Sequence, residues 1–308
     1  LLARLLIGVT TINPRSVGIR LAGVPFEVLM QRADEIASDP HRRVVAFGPA
    51  KSAGKTTFAV SAPGNKILLK YEPGIVSIPP GVDPKTLWVV EYPFDYEVIN
   101  TKSDKWVRLG DAGQKILEDL EEINLAFHDK RDVKIDGVIA PLPDTIIMDG
   151  GTMLHDALIS WICKVNGVSD PDQIVGDSGK KNKYYVWGKR MQFIMATIRK
   201  VFKLPCNAVL TAWETSDKDE NGNIRERWPD IGGKIDYRAT GMGDAGIYCF
   251  ANRTVNGTRF CIRTVSDGVA QGVGVRGKYN LPEVIDVTID PKKPVMPWDK
   301  LWGNIQAK

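Results

Sequence analysis

The chain has 308 residues, enough to bury one large α/β core with extensions and without need of a second core. Hydrophobic residues make up 43% and charged ones 25%, the balance of a soluble globular protein, and a net charge of +4 is too mild for composition alone to argue for nucleic acid. The four cysteines (Cys163, Cys206, Cys249, Cys261) have no Cys-x-x-Cys spacing and only three histidines are present, so metal clusters are not expected and a reducing, cytoplasmic setting is.

The apolar run over residues 1–9 is too short to span a bilayer, no other stretch reaches membrane length, and the lack of an initiator Met suggests a start inside a longer chain. Within residues 1–40, Phe26 to Ala37 has the apolar spacing of a helix that packs on the core or on a neighbouring subunit.

Val44 to Phe47 predicts a strand that opens into Gly48-Pro49-Ala50-Lys51-Ser52-Ala53-Gly54-Lys55-Thr56-Thr57 and then a helix. Small residues let backbone N–H groups close around phosphate oxygens, and the helix N-terminus adds positive potential. This pattern points to a P-loop for ATP, in which Lys55 reaches the β and γ phosphates and the Thr56 hydroxyl ligates Mg²⁺. Five residues separate Gly48 from Gly54 where the usual pattern has four. Either the loop carries one extra residue, or Pro49 takes the first-glycine place.

Pro63-Gly64 ends the P-loop helix early, and Lys66 to Tyr71 predicts the next strand, ending at Glu72. A carboxylate at that end of a strand beside a P-loop strand is placed to polarise the attacking water, although an ordinary strand-end Glu before a Pro-Gly turn gives the same pattern. Leu87 to Tyr92 is a third strand and Asp111 to Phe127 a helix with Ile116, Leu117, Leu120 and Ile123 on one face, followed by a loop over 128–143. The strand to Asp149 ends in the carboxylate that a Walker B element places beside the P-loop Thr and Mg²⁺, and Thr152 is expected to cap the next helix.

Lys180, Lys181, Lys183, Tyr185, Trp187, Lys189 and Arg190 interleave cations with aromatics, a mixture that suits single-stranded nucleic acid. A solvated helix start with its aromatics turned inward gives the same pattern. After a helix running to Phe202, a strand over Asn207 to Trp213 brings Trp213 and Glu214 near where a γ-phosphate sensor would lie. Ser216 to Arg227 is expected to be a polar loop whose Arg225 and Arg227 join the DNA-contacting surface, and Ala245 to Asn252 and Thr258 to Val265 form a hairpin. Residues 291–308 are expected to be a Pro-Lys tail carrying Trp298 and Trp302.

Over residues 43 to 290 the assembled pattern resembles the RecA-like P-loop ATPases, and within them the phage ATPases associated with single-strand annealing. The likeness rests on the P-loop, on Glu72, on Gly81-Val82-Asp83 before Leu87, and on Ile146 to Asp149. Gly232-Gly233-Lys234 is similar to the stretch closing the second DNA-binding loop in RecA, and Arg276-Gly277-Lys278 to the basic pair that reaches a neighbouring subunit's ATP. The resemblance implies a mainly parallel twisted sheet flanked by helices with a C-terminal hairpin, catalysis by Glu72 and Lys55 with Arg276 and Lys278 in trans, and a ring or filament of identical subunits. It implies single-stranded DNA as partner, a single-strand-binding or other replication protein contacted through the tail, and the cytoplasm of a host cell. The family's Gln or His sensor is replaced here by Trp213.

Two other functions share these motifs. A DNA-translocating or packaging motor has the same P-loop and Walker B, but its marker, a Glu directly after the Walker B Asp, is Gly150 here. A small-molecule phosphotransferase would carry an Arg-rich lid, and no compact one follows Asp149.

Overall fold

The structure, a computed structural model, describes residues 40–303 apart from 52, 73–75, 93–96, 101–104, 108–109, 169–172, 174–182, 232–240, 256 and 277–280. For 97–100, 105–107, 183–187 and 189–190 it describes the backbone alone. The expected helix at Phe26 to Ala37, the candidates Ser52, Lys180, Lys181 and Lys278, and the Gly232-Gly233-Lys234 stretch lie outside the described residues.

The strands are β1 (Arg43–Gly48), β2 (Lys66–Lys70), β3 (Leu87–Glu91), β4 (Glu97–Asn100), β5 (Lys105–Val107), β6 (Val133–Ile135) and β7 (Val138–Ala140). They continue as β8 (Thr145–Asp149), β9 (Asn207–Lys218), β10 (Ile224–Pro229), β11 (Ala245–Thr254), β12 (Gly257–Arg263), β13 (Gly274–Val275) and β14 (Val284–Asp286). The helices are α1 (Lys55–Val60), α2 (Ala112–Asp129), α3 (Gly151–Val165), α4 (Lys183–Phe202) and α5 (Pro297–Trp302).

Among the described residues the main sheet has ten strands, in the order β14-β12-β11-β1-β9-β8-β2-β3, with β10 attached to β9 and β13 to β11. All pairings from β11 through β1, β9, β8 and β2 to β3 are parallel, while β12, β13 and β14 add antiparallel. This is the RecA-like α/β class expected, including the C-terminal hairpin of β11 and β12. The strand β9 stands between the P-loop strand β1 and β8, so the phosphate loop and the strand end at Asp149 face each other across one intervening strand.

Strand periodicity sorts the core into two layers. Val45, Phe47, Ile67, Leu69, Ile146, Met148, Ala208 and Leu210 face one layer with residues of α2, α3 and α4. Their neighbours Val44, Ala46, Leu68, Ile147 and Val209 face the other, which α1 and α5 cover. All four cysteines are buried, and no helix among the described residues is long and apolar enough to cross a membrane.

Four sequence expectations need correction. The stretch from Ser216 to Arg227 is not a loop: β9 runs on to Lys218 and pairs antiparallel with β10 around a tight turn at residues 219–223. Alternation of apolar and polar residues fails there because much of this hairpin is solvent-exposed, so periodicity gives no strand signal. The loop expected over 128–143 contains the small hairpin of β6 and β7. Thr152 does not cap α3, whose N-cap is Gly150 at φ 97°, and its hydroxyl instead accepts from the Trp213 amide at 3.0 Å. The residues expected as a Trp-bearing tail are a core element over Pro297–Trp302, with Trp298 and Trp302 only 5% and 8% exposed; burial of two large rings outweighs the polar residues around them.

Candidate functional site

Strand β1 ends at Gly48, where a Cβ would lie 2.0 Å from the Cys249 carbonyl oxygen, so only glycine lets β1 and β11 close at this point. Gly54 precedes α1 in the left-handed region, φ 81°, with the Phe260 ring 3.3 Å from where its Cβ would stand. Between them Ala50 and Lys51 are exposed and Ala53 is buried, and Thr57 is half-buried on α1. The Lys55 ammonium is buried within the loop and donates to the Pro49 carbonyl at 2.5 Å, a partner that a phosphate oxygen can replace.

At the end of β8, Asp149 is buried and accepts from the Thr56 hydroxyl at 3.1 and 3.2 Å and from the Thr211 hydroxyl at 2.5 Å. Thr211 in turn accepts from the Gly150 amide at 3.0 Å, which fixes the turn after β8. Sequence reasoning misses Thr211. Its signal is a polar residue inside an otherwise apolar strand, and its role depends on the parallel register of β8 and β9.

The Tyr71 amide donates to the Asp149 carbonyl at 2.9 Å, which brings the following residue, Glu72, beside Asp149. A Cβ on Gly150 would stand 2.4 Å from Glu72 Cγ, so the bare backbone of Gly150 makes room for the carboxylate. Glu72 Oε1 and Trp213 Nε1 are both buried, and neither closes a hydrogen bond of full geometry. They are near enough for the indole N–H to favour the charged carboxylate. Trp213 reaches this place because it is the strand partner of Gly48.

Burial dominates the electrostatics of all three charged groups. It pushes the Glu72 and Asp149 carboxyls up, against the Trp213 indole in the first case and the Thr211 and Thr56 hydroxyls in the second. It pulls Lys55 down, opposed by Cys249, Glu72, Asp149 and Glu214. Burial pushes the Cys249 thiol up to about 12, so near neutral pH it presents no negative charge to Lys55.

A buried carboxylate bonded only to neutral hydroxyls, beside a Thr in position to share a cation, fits a hard divalent ion. No group of three His, Cys, Asp or Glu suited to a metal occurs among the described residues, so Thr56 and Asp149 would hold Mg²⁺ jointly with the nucleotide's own phosphates. The ion would neutralise charge on the phosphoryl group. This chain's residues could supply the rest: Lys55 could turn from Pro49 to a phosphate oxygen, and Glu72, whose buried Oε1 closes no hydrogen bond of full geometry, could orient and deprotonate water.

The other candidates fall elsewhere. Glu214 lies one residue past Trp213, and Arg227 pairs with it at 3.5 Å while hydrogen-bonding the Tyr248 hydroxyl and lying 5.2 Å over the Tyr248 ring. Arg227 is therefore held within the protein rather than offered as a surface cation, because β10 folds it back beside β9. Arg225 is exposed on the same hairpin. Lys183, Tyr185, Trp187, Lys189 and Arg190 have their backbones in the first turns of α4. Arg276 is exposed, with its amide donating to the Asp244 carbonyl at 2.7 Å and its guanidinium to Gly241. Since Ala245 pairs with Val44, that is the end of β1 opposite the P-loop, roughly 13 Å of strand away.

The fold and these side chains together define a P-loop ATPase. The chain belongs to the AAA domain family, whose model matches residues 41–270. Among solved structures it is similar to a KaiC-like protein from the hyperthermophilic archaeon Pyrococcus horikoshii OT3, at 9% identity and a TM-score of 0.39, over 82% of this chain and 88% of that one. No curated protein matches it.

Proposed function

We propose that this chain is an Mg²⁺-dependent ATPase that assembles into a ring or filament, binds single-stranded DNA and serves phage recombination or annealing. The convergence of Lys55 and Thr56 after β1, Asp149 at the end of β8 and Glu72 after β2, all at the same end of one mainly parallel sheet, carries the hydrolytic part of this reading. Assembly is supported by the position of Arg276: at the far end of the strands from its own P-loop, an exposed cation can serve a phosphate only on another subunit. DNA binding is supported by the basic and aromatic run entering α4 and by the projecting β9–β10 hairpin, which starts at the site itself. A motor function is less well supported, because Gly150 follows Asp149 and the candidate base, Glu72, lies just after β2.

Steady-state ATP hydrolysis with and without single-stranded DNA, across protein concentration, tests this. Specific activity is expected to rise with concentration and with DNA. Mixing Lys55→Ala subunits with Arg276→Ala/Lys278→Ala subunits should restore part of the activity. A dead mixture of variants that assemble normally would remove the trans role, and full activity in a demonstrated monomer would remove assembly.

A further inference from the structure

The two faces of the sheet are covered unequally. Three helices of 15 to 20 residues, α2, α3 and α4, cover one face, whereas the P-loop face carries the six-residue helices α1 and α5. A helix as short as α1 has no independent stability, so its place, and with it that of Lys55 and Thr56, is set by what packs on it. Sheet residues hold its inner side, and α5 packs against it in the same apolar cluster.

The contacts are specific. Phe58, fully buried, meets the Trp298 ring at 5.7 Å, and Trp298 meets Trp302 at 6.0 Å with the two rings tilted by 54°. The Trp298 amide donates to the Ser61 hydroxyl at 3.0 Å, and that hydroxyl donates to the Phe58 carbonyl at 2.6 Å, so α5 is bonded to the last turn of the P-loop helix. Pro297 starts α5 at the position where a missing N–H costs nothing, and Leu301 is fully buried. At its other end the Arg42 guanidinium lies 5.3 Å over the Trp302 ring, while the Arg42 amide donates to the Asn207 side chain at the start of β9. These residues join α5 to β1 and α1, which carry the phosphate loop, and to the start of β9 beside β1.

We propose that α5 is a clasp that positions the P-loop helix for nucleotide, with Trp298 as the positioning residue acting through Phe58 and Ser61. The inference rests on nucleotide binding at the P-loop and adds to it a second determinant of affinity, more than 200 residues away in sequence. Because coupling between two sites is reciprocal, nucleotide at the P-loop must also tighten the clasp.

The test is calorimetric titration of ATP with Mg²⁺ into the wild type, Trp298→Ala and Trp298→Phe, each well below its melting temperature, with Ile116→Ala in α2 as a control that opens a cavity on the opposite face. Trp298→Ala should weaken ATP by about tenfold or more, with Trp298→Phe within about threefold of wild type and Ile116→Ala unchanged despite a lowered Tm. In the wild type, ATP should slow amide exchange over 297–302 more than over α2, a readout that needs no variant to fold. Equal ATP affinity in folded Trp298→Ala, an equal loss in Ile116→Ala, or unaltered exchange over 297–302 would overturn the clasp alone. A wild type that binds no ATP would overturn the ATPase reading, and the clasp with it.

Discussion

Glu72 lies against the bare backbone of Gly150, the residue after Asp149, so closely that a Cβ there would stand 2.4 Å from Glu72 Cγ. The candidate base and the candidate metal ligand are thus set relative to each other by one glycine at φ 97°. Gly150→Ala should strain that turn and displace Glu72. Hydrolysis should fall by about a hundredfold, as a misplacement of about 1 Å does, while ATP binding persists. Turnover and ATP affinity measured on one preparation check this; unaltered turnover would show that Glu72 is not held by this contact.

The acid limb of the pH–rate profile should report Glu72. The carboxylate is the active form, and burial raises its pKa, so activity should be lost on acidification at a pH above the usual range of a Glu, and recovered as the group deprotonates. The Trp213 indole acts in the opposite direction, favouring the charge. Trp213→Phe should therefore move the limb to still higher pH. A limb that moves down, or stays, would separate Trp213 from the base.

Thr211 holds Asp149 from behind and fixes the Gly150 amide. Thr211→Val keeps the shape and removes both bonds. Without such a supporting partner, the apparent Mg²⁺ affinity in hydrolysis should weaken by about 10- to 100-fold. An Mg²⁺ titration of activity would show it, and an unshifted midpoint would leave Thr211 as packing.

On the DNA side, Lys180→Ala, Lys181→Ala and Lys183→Ala combined should weaken single-stranded DNA binding and flatten its dependence on salt. The slope should fall by roughly one unit for each phosphate that the variant no longer neutralises. An unchanged slope would favour a solvated helix start.

What is legible in the sequence is what is local. Gly54-Lys55-Thr56 between a strand and a helix, and an apolar run ending in Asp149, are short patterns whose chemistry depends on adjacent residues. Glu72 is expected at the end of a strand next to the P-loop strand, but β9 and β8 stand between β1 and β2, and its place beside Asp149 comes from the pairing of β2 with β8, which has no local mark. Thr211 is not, since a Thr in an apolar strand has no local mark of its role, which arises from the register that sets Leu210 beside Met148. Trp298 and Trp302 read as a tail because their neighbours are Pro, Lys and Asp, and nothing local foretells a contact with Phe58. Arg227 reads as part of a DNA surface because its capture by Glu214 and Tyr248 needs β9, β10 and β11 in place.

In the proposed reaction Glu72 activates water for ATP held by Lys55, Thr56 and Asp149. Glu72→Gln tests it most directly, with ATP binding and single-turnover hydrolysis measured on the same folded protein. Glu72→Gln should bind ATP about as tightly as wild type and cleave it slower by about a hundredfold or more, because only proton abstraction is removed. Cleavage at the wild-type rate, or loss of ATP binding in a folded Glu72→Gln protein, would contradict it.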